Sequence, residues 1–130
     1  MYRTIRQKDW FDPDDDSRIK AEAFMRRRPK VKQDGTNDPG DDDGLSVYDS
    51  FRISRQACIE GERSCHGVVT LHAGTLRNLG LHVIRDPRDP LKLLIPDMPL
   101  ENPNDARQEA LLDLVADSAR IAERRRWRRR

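Results

Sequence analysis

The chain carries only two cysteines, Cys58 and Cys65, too few for a disulfide framework, and in a reducing compartment they read as free thiols. No stretch approaches the roughly 18 apolar residues that a bilayer-spanning helix needs, and no secretory apolar region follows Met1. The expectation is a cytoplasmic chain without membrane contact. Apolar residues are also scarce, at 35% against 37% charged. That balance leaves room for one small core with polar, loosely attached flanks.

Metal-ligand spacing is missing too. Zinc sites bring their ligands in close pairs, because two short knuckles pre-organise half a tetrahedron. Here six residues separate Cys58 from Cys65, His66 is adjacent to Cys65, and His72 and His82 stand alone. The acidic runs fail as calcium loops. Counting from Asp12, Ser17 occupies the glycine position and Ala23 the place of the closing glutamate. No metal and no cofactor are expected.

What the sequence has in quantity is charge, unevenly placed. Removing the six arginines of 124–130 leaves 19 basic against 23 acidic side chains, so an acidic body of about −4 carries a basic tail. Arginine outnumbers lysine 20 to 5 and aspartate outnumbers glutamate 17 to 6. This is the bias of a GC-rich, bacterial coding sequence, and it argues against reading every arginine as functional.

Pattern divides the chain into four parts. Residues 1–28 form a polar N-terminal extension with a strand at "MYRTIR" and a short helix from Asp16 or Ser17 to about Arg28, closed by Pro29. Residues 29–44 have Val31 as their one large apolar side chain among turn formers, and read as a mobile acidic linker. Residues 45–123 form a small α+β domain. Its strands are "LSVYDSFRI", "GVVTLHA", "LHVI" and "LKLLI", with short helices after Ser54 and Thr75. It ends in an amphipathic helix from Asn104 whose face is Leu111, Leu114, Val115 and Ile121. The predicted architecture is a mixed or antiparallel sheet of about four short strands packed by that helix. Residues 124–130 form a basic tail that continues the helix and contributes little to folding.

Three stretches offer chemistry. In "LHAGTLRNLGL", His72, Gly74, Thr75 and the pair Gly80-Leu81 resemble the H-G-T/S…G-L segment of ADP-ribosyltransferases and RNA 2′-phosphotransferases, with Ala73 interposed between histidine and glycine. The likeness covers about ten residues and implies a small enzyme centred on His72. Imidazole titrates near neutrality and suits a general base, but no nucleophile or orienting carboxylate stands beside it in sequence. Basic charge is the second feature. Arg26, Arg27 and Arg28 form one cluster; Arg124, Arg125, Arg126, Trp127, Arg128, Arg129 and Arg130 form the other. Both are dense enough to meet phosphates, and Trp127 suits stacking on an unpaired base. The third is Trp10-Phe11, an aromatic pair ahead of a low-complexity loop, which fits a segment that folds on a protein partner. The expected function is a non-catalytic accessory or binding module acting through protein contacts. Its arginine tail is a candidate for sequence-independent contact with DNA or RNA.

Overall fold

A computed structural model describes residues 1–15, 17–61 and 65–125. In chain order the elements are β1 (Tyr2–Ile5), β2 (Lys30–Val31), β3 (Asn37–Asp38), β4 (Leu45–Tyr48), α1 (Arg55–Glu60), β5 (Gly67–Thr70), α2 (Ala73–Asn78), β6 (Ile84–Arg85), β7 (Lys92–Ile95), α3 (Ala106–Ser118) and β8 (Arg120–Arg124). Six strands form one sheet in the order β6-β7-β4-β1-β5-β8, and β2 and β3 make a separate hairpin. Every pairing in the six-stranded sheet is antiparallel. The class is α+β, as expected.

Six strands rather than four arise because both ends of the described chain enter the sheet. The strand β1 lies between β4 and β5, with Tyr2 opposite Tyr48 on one side and Tyr2 to Ile5 opposite Thr70 to Gly67 on the other. Ile5 is fully buried. Beyond α3 the backbone turns extended at Ala119 (φ −71°, ψ 147°). Arg120–Arg124 then pairs with β5, Ile121 opposite Val69. The expected helical continuation through Ile121 into the tail is therefore corrected. Packing Ile121 on the sheet satisfies its apolar side chain and pairs its backbone at once.

Five local expectations are also corrected. Among the described residues from Ser17 to Arg28 there is a single 3-10 turn, Ala21–Phe24, flanked by extended Lys20 and Met25 and not the expected helix. Ile19 bridges Phe11, and Ala23 and Phe24 are fully buried against the core, so tertiary burial replaces a helical face. The "LSVYDSFRI" strand stops at Tyr48, where Asp49 opens a turn. The helix α2 begins after His72, not Thr75. Finally, α3 is capped by Asp105, which accepts from the Arg107 amide at 2.8 Å, rather than by Asn104. Its buried stripe is Leu112, Val115 and Ala116, whereas Leu114 is 51% exposed. Leu112, Val115, Ala116 and Ala119 follow the i, i+3, i+4, i+7 rule as well as the expected set does. The neighbouring turn Ala21–Phe24 selects between the two stripes.

Both faces of the sheet are covered. Ile5, Val47, Val69 and Ile95 point into the main core with Phe24, Leu76, Met98 and the α3 stripe. Val68, on the opposite face, packs with Cys58, Ile59 and Cys65 under α1. Both cysteines are buried and neither forms a disulfide; the Cys65 Sγ donates to the Gly67 carbonyl at 3.1 Å. Ser54 caps α1, its Oγ accepting from the Ala57 amide at 3.1 Å. In the 29–44 segment, Lys30 pairs with Asp38 and Val31 with Asn37 around a turn at Gly35 (φ 83°). Among the described residues no helix is long and apolar enough to cross a membrane.

Candidate nucleic-acid interface

The two arginine clusters end up in different situations. Arg26 to Arg28 are clamped between the 38–41 loop and the 98–101 segment. The Arg26 amide donates to the Pro99 carbonyl at 2.8 Å and its Nε to the Met98 carbonyl at 2.6 Å. The Arg27 amide donates to the Asp41 carboxylate at 2.8 Å, and its guanidinium lies 3.5 Å from Asp38 and 3.6 Å from Asp41. Arg28 donates through its amide and Nε to Glu101, at 3.0 and 3.2 Å. The Arg27 guanidinium thus faces the carboxylates of the acidic loop, and the side chains of Arg26 and Arg28 donate to backbone carbonyls. Gly40 permits the approach: at φ 62° a side chain there would meet the Arg27 carbonyl at 2.5 Å.

Arg124 and Arg125 close β8 at the other side of the molecule. The Arg125 amide donates to the His66 carbonyl at 2.8 Å and its guanidinium to the Ile59 carbonyl at 2.9 Å. The guanidinium carbon of Arg124 lies 4.3 Å from the centre of the Phe11 ring. Phe11 is 4% exposed, and half-buried Trp10 packs against the main core. The bridge between Phe11 and Ile19 folds this aromatic pair inward within the chain itself. Gly67, paired with Arg124 across β5 and β8, makes room for the ring. A Cβ at Gly67 would sit 2.9 Å from the Phe11 Cζ and 2.7 Å from the Glu123 carbonyl.

Around that ring opens a cavity of about 410 Å³ with Phe11 and Pro13 as its apolar part, Lys8, Lys20 and Arg124 as its cations, and Asp9 and Asp12 as its acids. A smaller hollow of about 50 Å³ shares Lys8, Phe11 and Arg124 and adds His66 and Arg125. Cations thus reach one surface from three separate chain segments. The three cations exceed the two carboxylates by one charge, and phosphate oxygens can take donors from several directions at once. The remaining tail candidates, Arg126, Trp127, Arg128, Arg129 and Arg130, lie outside the described residues, and follow Arg125 directly in the sequence.

His72 is the exposed residue before α2, and its ring makes no capping bond to the helix. Gly74 and Thr75 occupy the exposed first turn of α2, and Gly80 and Leu81 follow its end. His82 meets a carboxylate. Its Nδ1 is 2.7 Å from Asp97, which also accepts the His82 amide at 3.0 Å. Burial pushes the Asp97 carboxyl up, but those hydrogen bonds outweigh it and hold Asp97 below the usual carboxylate range. Among the described residues, no three His, Cys, Asp or Glu side chains gather where they could hold a metal ion.

Sequence reading missed Lys8 and Lys20, because each stands singly among acids and turn formers. Only the pairing of Phe11 with Ile19, which folds residues 8–20 back on themselves, brings them beside Arg124. No protein-family model, curated protein or solved structure matches this chain.

Proposed function

We propose that this chain is a non-catalytic cytoplasmic module that binds nucleic acid through phosphates, without reading sequence, at the concavity around Phe11 and along the tail that follows it. The observation that carries this reading is the convergence of Lys8, Lys20 and Arg124 on one cavity, at the point where the basic tail begins. Phosphate contacts position a protein on the polymer and leave base identity unread. Arg26 to Arg28 take a structural part, since their donors are directed to Asp41, Glu101 and neighbouring carbonyls.

The test is fluorescence anisotropy with labelled single- and double-stranded oligonucleotides across a salt series. Binding should weaken linearly on a log–log plot, by about 0.9 per phosphate contacted on duplex DNA. Lys8→Gln and Lys20→Gln should each lower that slope by about one while weakening all sequences alike. The informative truncation removes 126–130 and spares Arg124 and Arg125, which hold Phe11 and the His66 strand end. Absence of salt-sensitive binding even at low ionic strength would overturn the reading and direct the tail towards an acidic protein surface.

A further inference from the structure

At the opposite end of β1 from the basic cavity, the chain after β4 makes a turn that displays Phe51 at 99% exposure. The turn is braced. Asp49, 4% exposed, donates its amide to the Leu91 carbonyl at 2.8 Å and accepts the amides of Arg52 and Ile53 on its own carbonyl. Its carboxylate accepts the Phe51 amide at 3.0 Å and the Arg85 guanidinium at 2.9 Å, with Arg52 3.7 Å away. Ile53 then packs into the second core and Ser54 caps α1. The position of Phe51 is thus fixed from both sides, yet its ring packs on almost nothing.

We infer that this turn is a docking knob for a protein partner whose receiving pocket is apolar at its centre and acidic at its rim. A turn of this kind accepts any small polar residue, so the fold itself does not require an aromatic here. An ordered, solvent-facing phenylalanine flanked by arginines has the composition of an interface centre, and its ordering cost is met before binding. Charge selects the partner. Arg52 and Arg85 share the Asp49 carboxylate, and the Met1 ammonium lies 3.5 Å from the Ser50 hydroxyl of the same turn, so positive charge exceeds negative beside the ring. The charges of the following turn are internally engaged: Arg88 with Asp43, Lys92 with Asp89, and Asp86 accepting the Arg88 amide. A second copy would bring two such arginine pairs together. A nucleic-acid strand would find a lone ring on a convex turn, without the cationic groove that normally tracks its backbone.

The experiment replaces Phe51 by photoreactive p-benzoylphenylalanine in the full chain, within cells that produce it, with exposed Asp42 as the control position. After irradiation, adducts are identified by mass spectrometry and the captured protein is purified for direct binding. The expected result is one protein linked from position 51 and not from 42, through an acidic-rimmed surface. Phe51→Ala should weaken the purified pair about thirtyfold, the loss typical of an anchor residue. Arg52→Gln should reduce the salt dependence of that binding, and neither variant should change oligonucleotide affinity. Adducts to nucleic acid or to a second copy, no adduct above the control, or a purified pair indifferent to Phe51→Ala would each overturn the inference.

Discussion

The two ends of β1 each hold a phenylalanine, and the fold treats them in opposite ways. Near Ile5, Phe11 is pressed against Gly67 and covered by the Arg124 guanidinium, so that the ring organises cations around a cavity. Beyond Tyr2, Phe51 projects from a turn whose backbone and arginine hydrogen bonds converge on Asp49. At one end the aromatic ring is scaffold and the charges face solvent. At the other the charges are scaffold and the ring faces solvent. The same residue types therefore serve different purposes, and only the first arrangement should contribute much to stability.

The largest expected effect follows from that contrast. Phe11→Ala should destabilise the protein by about 3–5 kcal/mol, since it empties a buried aromatic site. It should also release Arg124 from a cation–π contact of about 0.5–1 kcal/mol. Gly67→Ala probes the same packing from the strand side, because its added carbon meets backbone and ring together. Chemical denaturation of these variants decides the matter. A loss below about 1 kcal/mol for Phe11→Ala would mean that its burial is not part of the core.

The helix α3 repeats the contrast within three residues. Leu112→Ala should cost about 2–5 kcal/mol, whereas Leu114→Ala should cost less than about 0.5 kcal/mol. Equal losses in thermal or denaturant unfolding would place the helix in the register that sequence periodicity suggests, with Leu114 on the core face.

A smaller effect, dependent on pH, belongs to the Phe51 end. The Phe51 amide, followed by Arg85 and Arg52, holds the Asp49 carboxyl below its ordinary value of 3.8. A carboxyl lowered on folding stabilises the native state above its unfolded value and loses that contribution as pH falls through its folded value. The loss should therefore be seen in acid, below pH 3.8. Asp49→Asn should cost about 1–3 kcal/mol near neutrality, through a lost charge-assisted network, and should flatten stability against pH in that acid window. An unchanged acid limb in the variant would show that Asp49 does not hold the turn.

The fold class, β1, β5 and the capping of α1 by Ser54 were legible because each rests on local pattern: alternation, β-branched residues, a capping serine before a helical run. The number of strands was not. The strand β8 carries Arg120, Glu123 and Arg124 around two small or branched residues, and nothing local distinguishes it from the end of a helix. Its pairing with β5 is a long-range event. The basic cavity was half legible: Arg124 stands out as the head of a run, while Lys8 and Lys20 gain meaning only when the chain folds back at Phe11. Phe51 was read as strand because "LSVYDSFRI" alternates, and the side chain of Asp49, by taking the Phe51 amide, ends the strand where a period-two reading continues it.

The smallest expected effect is the sharpest test of the comparison. Phe51→Ala should change the unfolding free energy by no more than about 0.5 kcal/mol, the range of neutral surface changes, because almost none of the ring's surface is withdrawn from water by the fold. Two outcomes matter. A clear loss of stability would mean that the ring packs in solution, on Leu91 or on another molecule, and that the turn is part of the core. A clear gain would mean that displaying the ring is costly to the isolated chain, as expected of an apolar surface kept for contact with something else. Paired with the large loss expected for Phe11→Ala, an effect near zero would separate the aromatic ring that builds this protein from the one it holds out.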